Sequence, residues 1–96
     1  MTMSERDVEW ALVEMVRGHG GLCLKWVCPG WAGVPDRLVL LPGGRLVFVE
    51  LKRPRGGRVA PLQDWWARKL SALGFRYLIV RGQTDLEALA MYIVES

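Results

Sequence analysis

Two acids and one lysine stand where predicted strands begin and end. Pro35-Asp36 precedes a short apolar segment, whereas Glu50 and Lys52 close a continuous apolar run. Residues two apart on a strand point to the same face, so Glu50 and Lys52 are expected to project together. Two carboxylates and a main-chain carbonyl, for which Leu51 is well placed, offer the oxygen ligands that Mg²⁺ accepts.

Such a site could hydrolyse a phosphodiester bond. A lysine beside a divalent cation could orient or help deprotonate an attacking water, and it could stabilise charge on the phosphate. Each motif also has a plainer interpretation, since a Glu-x-Lys at a strand end is usually a surface salt bridge and Pro-Asp is usually a turn. The combination of both motifs on suitable elements favours the catalytic interpretation.

A third acid lies on the first predicted helix. At about 100° per residue, Glu9 falls inside the apolar arc that runs from Val8 through Leu12 and Val16 to Val13. A carboxylate turned toward a core is costly unless a cation meets it, and a metal ion or a lysine would do so. Glu5 falls inside the same arc and is the alternative helical acid.

The elements that must position these residues follow from hydrophobic periodicity and from turn residues. Ser4 and Asp7 predict the start of a first helix of three to four turns. Gly43-Gly44 predicts the tip of a hairpin between the second and third strands. The predicted strands are Leu22–Val27, Arg37–Leu41, Arg45–Leu51 and Phe75–Val80.

Two further helices complete the predicted order of helix, three strands, helix, strand, helix. The second helix begins at Pro61, and its apolar stripe comprises Leu62, Trp66, Leu70 and Leu73. The last helix is expected to begin with a capping box formed by Thr84 and Glu87. A strand–helix–strand unit from Arg45 to Val80 predicts a right-handed crossover and a parallel strand pair. Residues 1–96 are therefore expected to form one α/β domain, a small mixed sheet flanked by helices.

These motifs and their order resemble the VRR-NUC family of the PD-(D/E)xK nuclease superfamily. The resemblance spans Glu9 to about Ile93, and it rests on three runs: Gly33-Val34-Pro35-Asp36, Val47-Phe48-Val49-Glu50-Leu51-Lys52 and Leu62-Gln63. It implies a restriction-endonuclease-like core and a Mg²⁺- or Mn²⁺-dependent endonuclease that cleaves DNA. It also implies a homodimer acting on branched DNA, because short phage and bacterial members resemble Holliday-junction resolvases.

The resemblance also implies roles for individual residues. It makes Asp36 and Glu50 metal ligands and Lys52 the catalytic lysine. It makes Glu9 the helical glutamate and a further metal ligand, and Gln63 the glutamine near the active site. One departure is visible: Ala60 stands where a Ser or Thr helix cap is expected. This departure should weaken the helix start by about 1 kcal/mol without touching the chemistry.

A basic loop supports the same interpretation. Arg53, Arg55 and Arg58 follow Lys52 and are predicted to hold phosphates, although a solvated charged loop is the alternative. The net charge of +3 and the pI of about 9.2 are compatible with a nucleic-acid partner but do not require one. The weaker candidates for DNA contact are Lys25, Arg37, Arg68 and Lys69.

Tryptophans are a further feature of the sequence. Trp31, in the loop before Gly33, is a candidate DNA wedge or lid. Trp65 cannot share a face with Trp66, so it is predicted to cover a dimer interface or to be partly buried within the monomer.

Other classes of protein are less compatible with the sequence. No stretch approaches the roughly 18 to 20 apolar residues of a membrane span, and the N-terminus lacks a signal-peptide core. We therefore expect a cytoplasmic location in a bacterial or phage-infected cell. Two Cys and one His do not make a structural zinc site. Two alternatives to a self-sufficient nuclease remain: a non-catalytic DNA-binding or assembly module, and a nuclease subunit of a larger DNA-processing complex.

Overall fold

A computed structural model describes residues 3–95 as three helices and four strands. In chain order these are α1 (Glu5–Gly18), β1 (Leu22–Lys25), β2 (Arg37–Leu41), β3 (Arg45–Leu51), α2 (Pro61–Ala72), β4 (Arg76–Val80) and α3 (Gln83–Glu95). The predicted order of elements and the α/β class are confirmed. No helix within residues 3–95 is both long and apolar enough to cross a lipid bilayer.

The four strands form one mixed sheet in the order β1-β2-β3-β4. Strand β2 is antiparallel to both β1 and β3, whereas β3 and β4 are parallel, as predicted from the crossover. In the register, Arg37 lies opposite both Lys25 and Val49, and Leu51 lies opposite Val80. The ends of β1, β3 and β4 and the start of β2 therefore meet at one edge of the sheet, which we call the Asp36 edge.

Helices α1 and α3 cover one face of this sheet and contact each other. The buried side of α1 consists of Val8, Leu12 and Val16, which recur at the predicted helical spacing. They pack against alternate residues of β2 and β3, such as Val39 and Val49. Alternation along each strand places the remaining residues, including Glu50, on the opposite face with α2.

The start of α1 also agrees with the sequence prediction. The Ser4 hydroxyl accepts the Asp7 N–H at 3.1 Å, and the Asp7 carboxylate accepts the Ser4 N–H at 2.9 Å. This reciprocal capping box satisfies backbone donors that the first turn would otherwise leave unpaired.

Three predicted details were wrong. Two strand bounds differ. Strand β1 ends at Lys25 and not at Val27, since the chain then turns at Cys28 and Trp31, and β4 begins at Arg76 and not at Phe75. On α2 only Leu70 is buried, whereas Leu62 and Leu73 are 45% and 61% exposed, because α2 packs mainly against β4.

The third error concerns the start of α3. This helix begins at Gln83, so Thr84 lies inside its first turn and cannot precede it as a cap. The first helical hydrogen bond runs from the Leu86 N–H to the Gly82 carbonyl, and the Asp85 carboxylate accepts the Arg81 N–H at 2.8 Å. Asp85 thus makes one bond of the kind found in a capping box, the kind that the sequence analysis assigned to Glu87.

Candidate active site

Asp36 lies directly before β2, at the Asp36 edge of the sheet. Its carbonyl accepts the Trp26 N–H at 3.0 Å, which extends the pairing of β1 and β2 by one hydrogen bond. Its side-chain Oδ2 accepts the Leu51 N–H at 2.8 Å, so the carboxylate bridges from β2 to the end of β3. This bond holds the Asp36 carboxylate beside Leu51, the residue between Glu50 and Lys52.

Glu50 occupies the buried end of β3 and is only 1% exposed. Its Oε2 accepts a hydrogen bond from Gln63 Nε2 and lies 3.6 Å from Lys52 Nζ. Its Oε1 is also buried, yet it has no hydrogen-bond partner among residues 3–95. A buried carboxylate oxygen without a donor is costly unless a cation or water meets it.

The surroundings of Glu50 shift its titration. Burial raises the pKa of the Glu50 carboxyl from 4.5 to about 7, and repulsion by the nearby Asp36 carboxylate contributes. The Lys52 ammonium acts in the opposite direction and lowers the pKa of Glu50. The two carboxyls are thus close enough to influence each other, and a single lysine does not neutralise both.

Lys52 projects from the same face as Glu50, as the spacing of two residues predicts. Its side chain is only 14% exposed, and its backbone N–H donates to the Val80 carbonyl at 3.1 Å, which holds the end of β3 against β4.

The direction of the Leu51 carbonyl follows from the Leu51 N–H, which points toward β2. The N–H and C=O of one strand residue face the same neighbouring strand. The Leu51 carbonyl therefore lies on the Asp36 side of β3.

Gln63 joins this group from the first turn of α2. Its Nε2 donates to Glu50, while its Oε1 accepts the Ala60 N–H at 3.0 Å. Ala60 makes no side-chain cap to the helix, as the sequence predicts. The Gln63 side chain thus ties the start of α2 to the buried carboxylate.

The donor set fits a divalent cation with oxygen ligands. Asp36 and Glu50 supply carboxylates, the Leu51 carbonyl lies beside them, and Glu50 Oε1 is a buried acceptor that a cation could satisfy. Residues 3–95 contain no cluster of three or more Asp, Glu, His or Cys side chains of the kind that holds a metal unaided. A cation here would therefore also need water or phosphate oxygens, which Mg²⁺ commonly retains.

Glu9 does not join Asp36 and Glu50 through any direct contact. Its carboxylate pairs with the Arg37 guanidinium at 3.0 Å, and Arg37 also donates to the Cys23 carbonyl. An inward carboxylate at Glu9 was expected to need a cationic partner, and in the structure that partner is Arg37. An arginine directly after Asp36 could have suggested this partner, because β2 alternation turns it toward α1. The alternative acid, Glu5, is exposed.

The predicted basic residues fall into two groups. Arg53, Arg55 and Arg58 are exposed in the loop of residues 52–60, which starts at the Asp36 edge, and none forms an ion pair with another described residue. Of the weaker candidates, Arg37 pairs with Glu9 and Arg68 pairs with Asp64.

Arg81 is a residue that the sequence analysis missed. Its guanidinium donates to the Gly57 carbonyl at 2.7 Å and so ties the basic loop to the end of β4. The one feature of the sequence that could have suggested this role is that Arg81 directly follows β4, which ends beside this loop.

Comparisons with known proteins identify similar chains. No family profile matches the sequence. The chain is 44% identical over 85 residues to "Putative nuclease p44" of Acyrthosiphon pisum secondary endosymbiont phage 1, an alignment that covers 88% of this chain and 89% of that protein. A solved structure described as "VRR_NUC domain" superposes with a TM-score of 0.86 and 28% identity, covering 92% of this chain and 95% of the other.

The chain belongs to the VRR-NUC family of nucleases. The resemblance drawn from the sequence runs is thereby confirmed, and so is the restriction-endonuclease-like fold. Within this VRR-NUC chain, four of the predicted site residues meet at the Asp36 edge through direct contacts or through Leu51: Asp36, Glu50, Lys52 and Gln63. Glu9 lies with Arg37, and the three arginines of the basic loop flank the group.

Proposed function

We propose that this VRR-NUC nuclease hydrolyses phosphodiester bonds of DNA with Mg²⁺ or Mn²⁺ held at Asp36, Glu50 and the Leu51 carbonyl. The observation that carries the proposal is the buried Glu50 carboxylate, whose Oε1 has no donor among residues 3–95 and whose neighbours are Asp36 and Lys52. A purely structural carboxylate at 1% exposure would be expected to have both oxygens satisfied. When bound, the cation would polarise the scissile phosphate and activate a water.

The protein groups divide the remaining work. Gln63 and the Leu51 N–H each hold one carboxylate in place, so that Glu50 and Asp36 keep their separation when a substrate arrives. The Lys52 ammonium is held near Glu50 and can stabilise the charge that develops on the phosphate. The arginines at positions 53, 55 and 58 supply exposed positive charge for the flanking phosphates.

A cleavage panel tests this proposal. Purified protein is incubated with junction, flap, single-stranded and linear duplex DNA, each with Mg²⁺, Mn²⁺ or a chelator. We expect metal-dependent nicking that Asp36→Asn abolishes and that Asp64→Asn retains. Asp64 is a matched control, because it is an acid at the surface of α2 in an ion pair with Arg68. Equal cleavage by wild type and Asp36→Asn would indicate a contaminating nuclease and defeat the proposal.

We further propose that the protein acts as a homodimer on branched DNA. Leu22, Leu24 and Leu40 are 59%, 43% and 37% exposed on the face of β1 and β2 that α2 leaves uncovered. Leu22 and Leu40 are directly opposite each other in the register, so the apolar surface is continuous. A second copy on a two-fold axis would cover this surface and present two sites to the two-fold arrangement of a four-way junction.

Mass measurement in solution tests the dimer. Leu22→Glu places a charge on this apolar surface and should yield a monomer that nicks DNA but no longer cuts a junction on both sides. Met91→Glu is the control, because Met91 is 61% exposed on α3, across the sheet. A wild-type monomer, or a dimer that survives Leu22→Glu and Leu24→Glu, would remove this assignment.

A further inference from the structure

The Asp36 edge carries a second loop, which joins β1 to β2 and ends at Asp36. Trp31 lies near its middle and is 59% exposed, although tryptophan is usually largely buried. The backbone N–H of Trp31 donates to the Cys28 carbonyl at 3.1 Å, so the ring is borne on an ordered turn. Because the register puts both ends of this loop at the Asp36 edge, Trp31 lies on the same side of the sheet as the proposed cleavage site.

The loop that carries Trp31 contacts α2 at several points. The neighbouring Ala32 carbonyl accepts the Trp66 Nε1–H at 2.9 Å, and the Trp31 ring meets the Trp66 ring edge to face, with centroids 5.7 Å apart. At Gly33 the φ angle is +78°, and a Cβ there would lie 2.6 Å from a Leu62 side-chain carbon. The loop therefore packs against α2, which argues against a role for Trp31 as a lid, one of the two roles considered from the sequence.

The contacts leave much of the Trp31 ring available to a planar partner. Trp66 meets it at an interplanar angle of 75°, so the two rings do not stack face to face. The exposed arginines at positions 53, 55 and 58 follow the end of β3 at the same edge and have no acidic partner among the described residues. Cationic groups and an exposed aromatic ring at the same edge of the sheet suit a polyanion with stacking bases, which combines backbone charge with aromatic surfaces.

We propose that Trp31 stacks on an unpaired nucleobase of the DNA strand near the Asp36 edge. The occupant must be unpaired, because the faces of paired bases are covered by their neighbours within the duplex. Trp31 thus favours DNA in which bases are open, such as the centre of a junction, a flap or a gap. This inference rests on the proposed nuclease function and names the residue that selects its substrate.

Direct binding in chelator tests the stacking without cleavage. Wild type, Trp31→Ala, Trp31→Phe and Trp65→Ala are titrated against a gapped duplex with 2-aminopurine in the gap, and against the intact duplex. We expect Trp31→Ala to weaken binding to the gapped DNA about 5- to 100-fold and to lose the 2-aminopurine quenching. Binding to the intact duplex should change by less than about twofold, and Trp31→Phe should retain most of the affinity.

Trp65 is the matched control. It is 46% exposed and also meets Trp66 edge to face, with centroids 5.2 Å apart, but on α2 it is turned about 160° from Gln63, away from the site. Trp65→Ala should bind both DNAs like wild type. Thermal melting of each variant verifies that the fold is intact.

Three results would overturn the inference. Trp31→Ala could bind gapped DNA as tightly as wild type, it could weaken both DNAs equally, or it could turn a dimer into a monomer, which would assign Trp31 to a second copy of the chain. Failure of the proposed nuclease function would give a different result. The wild-type protein would then quench 2-aminopurine but cleave no DNA with Mg²⁺ or Mn²⁺, which would leave the stacking site without the nuclease activity.

Discussion

Gln63 joins the buried Glu50 carboxylate to the first turn of α2. Its amide nitrogen donates to Glu50 Oε2, and its amide oxygen accepts the Ala60 N–H at 3.0 Å. One side chain therefore both holds a proposed metal ligand and partly replaces the cap that Ala60 cannot make. The position of α2 and the geometry of the site depend on each other through this residue.

Replacement of Gln63 should therefore affect catalysis more than stability. Gln63→Ala loses a hydrogen bond to a charged group, and we expect the rate of DNA nicking to fall about 10- to 100-fold. Gln63→Glu keeps the acceptor for the Ala60 N–H but cannot donate to ionised Glu50, so it should be at least as inactive. Single-turnover nicking with increasing Mg²⁺ is the measurement. Wild-type rates in Gln63→Ala at every Mg²⁺ concentration would contradict this role.

The raised pKa of Glu50 makes stability without metal depend on pH. The folded-state pKa of about 7 exceeds the ordinary value of 4.5, so between these values the folded state binds more protons than the unfolded state. The free energy of unfolding should therefore fall as pH rises from about 4.5 to 7, by on the order of 1 to 3 kcal/mol. Denaturant titrations in chelator at pH 5, 6, 7 and 8 measure this change.

Two variants and one addition isolate the contribution of Glu50. Glu50→Gln should flatten the dependence, whereas Glu14→Gln, which alters a surface ion pair with Arg17, should leave it intact. Added Mg²⁺ should raise the melting temperature more at pH 8 than at pH 5, because it binds the ionised carboxylate. A Mg²⁺ effect that is equal at both pH values would argue against Glu50 as a ligand.

The role of Glu9 can be decided by separating stability from metal affinity. Its ion pair with Arg37 is partly buried, so Glu9→Gln should lower the free energy of unfolding by about 1 kcal/mol. A double-mutant cycle with Arg37→Met should show a coupling of similar size. We expect the Mg²⁺ dependence of nicking to shift by less than about threefold. A shift of tenfold or more would instead make Glu9 a metal ligand, as the sequence predicts.

Arg81 should influence substrate binding more than the chemical step. Arg81→Ala removes the hydrogen bond to the Gly57 carbonyl, which loosens the loop that carries Arg53, Arg55 and Arg58. We expect KM for DNA to rise about 3- to 10-fold while kcat changes less than about twofold. Arg17→Ala removes the same charge from an exposed position on α1 and is the control. A fall in kcat with unchanged KM would contradict a role in holding this loop.

Much of the fold and part of the site could be predicted from the sequence, because they depend on local patterns. The apolar run of β3 and the glycines at the hairpin tip specify which residues face each other, and the two-residue period brings Glu50 and Lys52 together. Periodicity turns Arg37 toward α1, but its pairing with Glu9 depends on where α1 lies across the sheet, which periodicity does not encode. The exposure of Leu62 and Leu73 likewise depends on how much of the sheet α2 covers.

The hairpin between β2 and β3 offers a practical consequence. Its turn, Pro42-Gly43-Gly44, lies at the end of the sheet opposite the Asp36 edge, and its residues are exposed. A Cβ at Gly44 would have open space around it, but the φ angle there is +74°, so an insertion should leave both glycines in place. A fluorophore, affinity tag or short peptide inserted at this turn would therefore report on the enzyme, or anchor it to a surface, without obstructing the DNA.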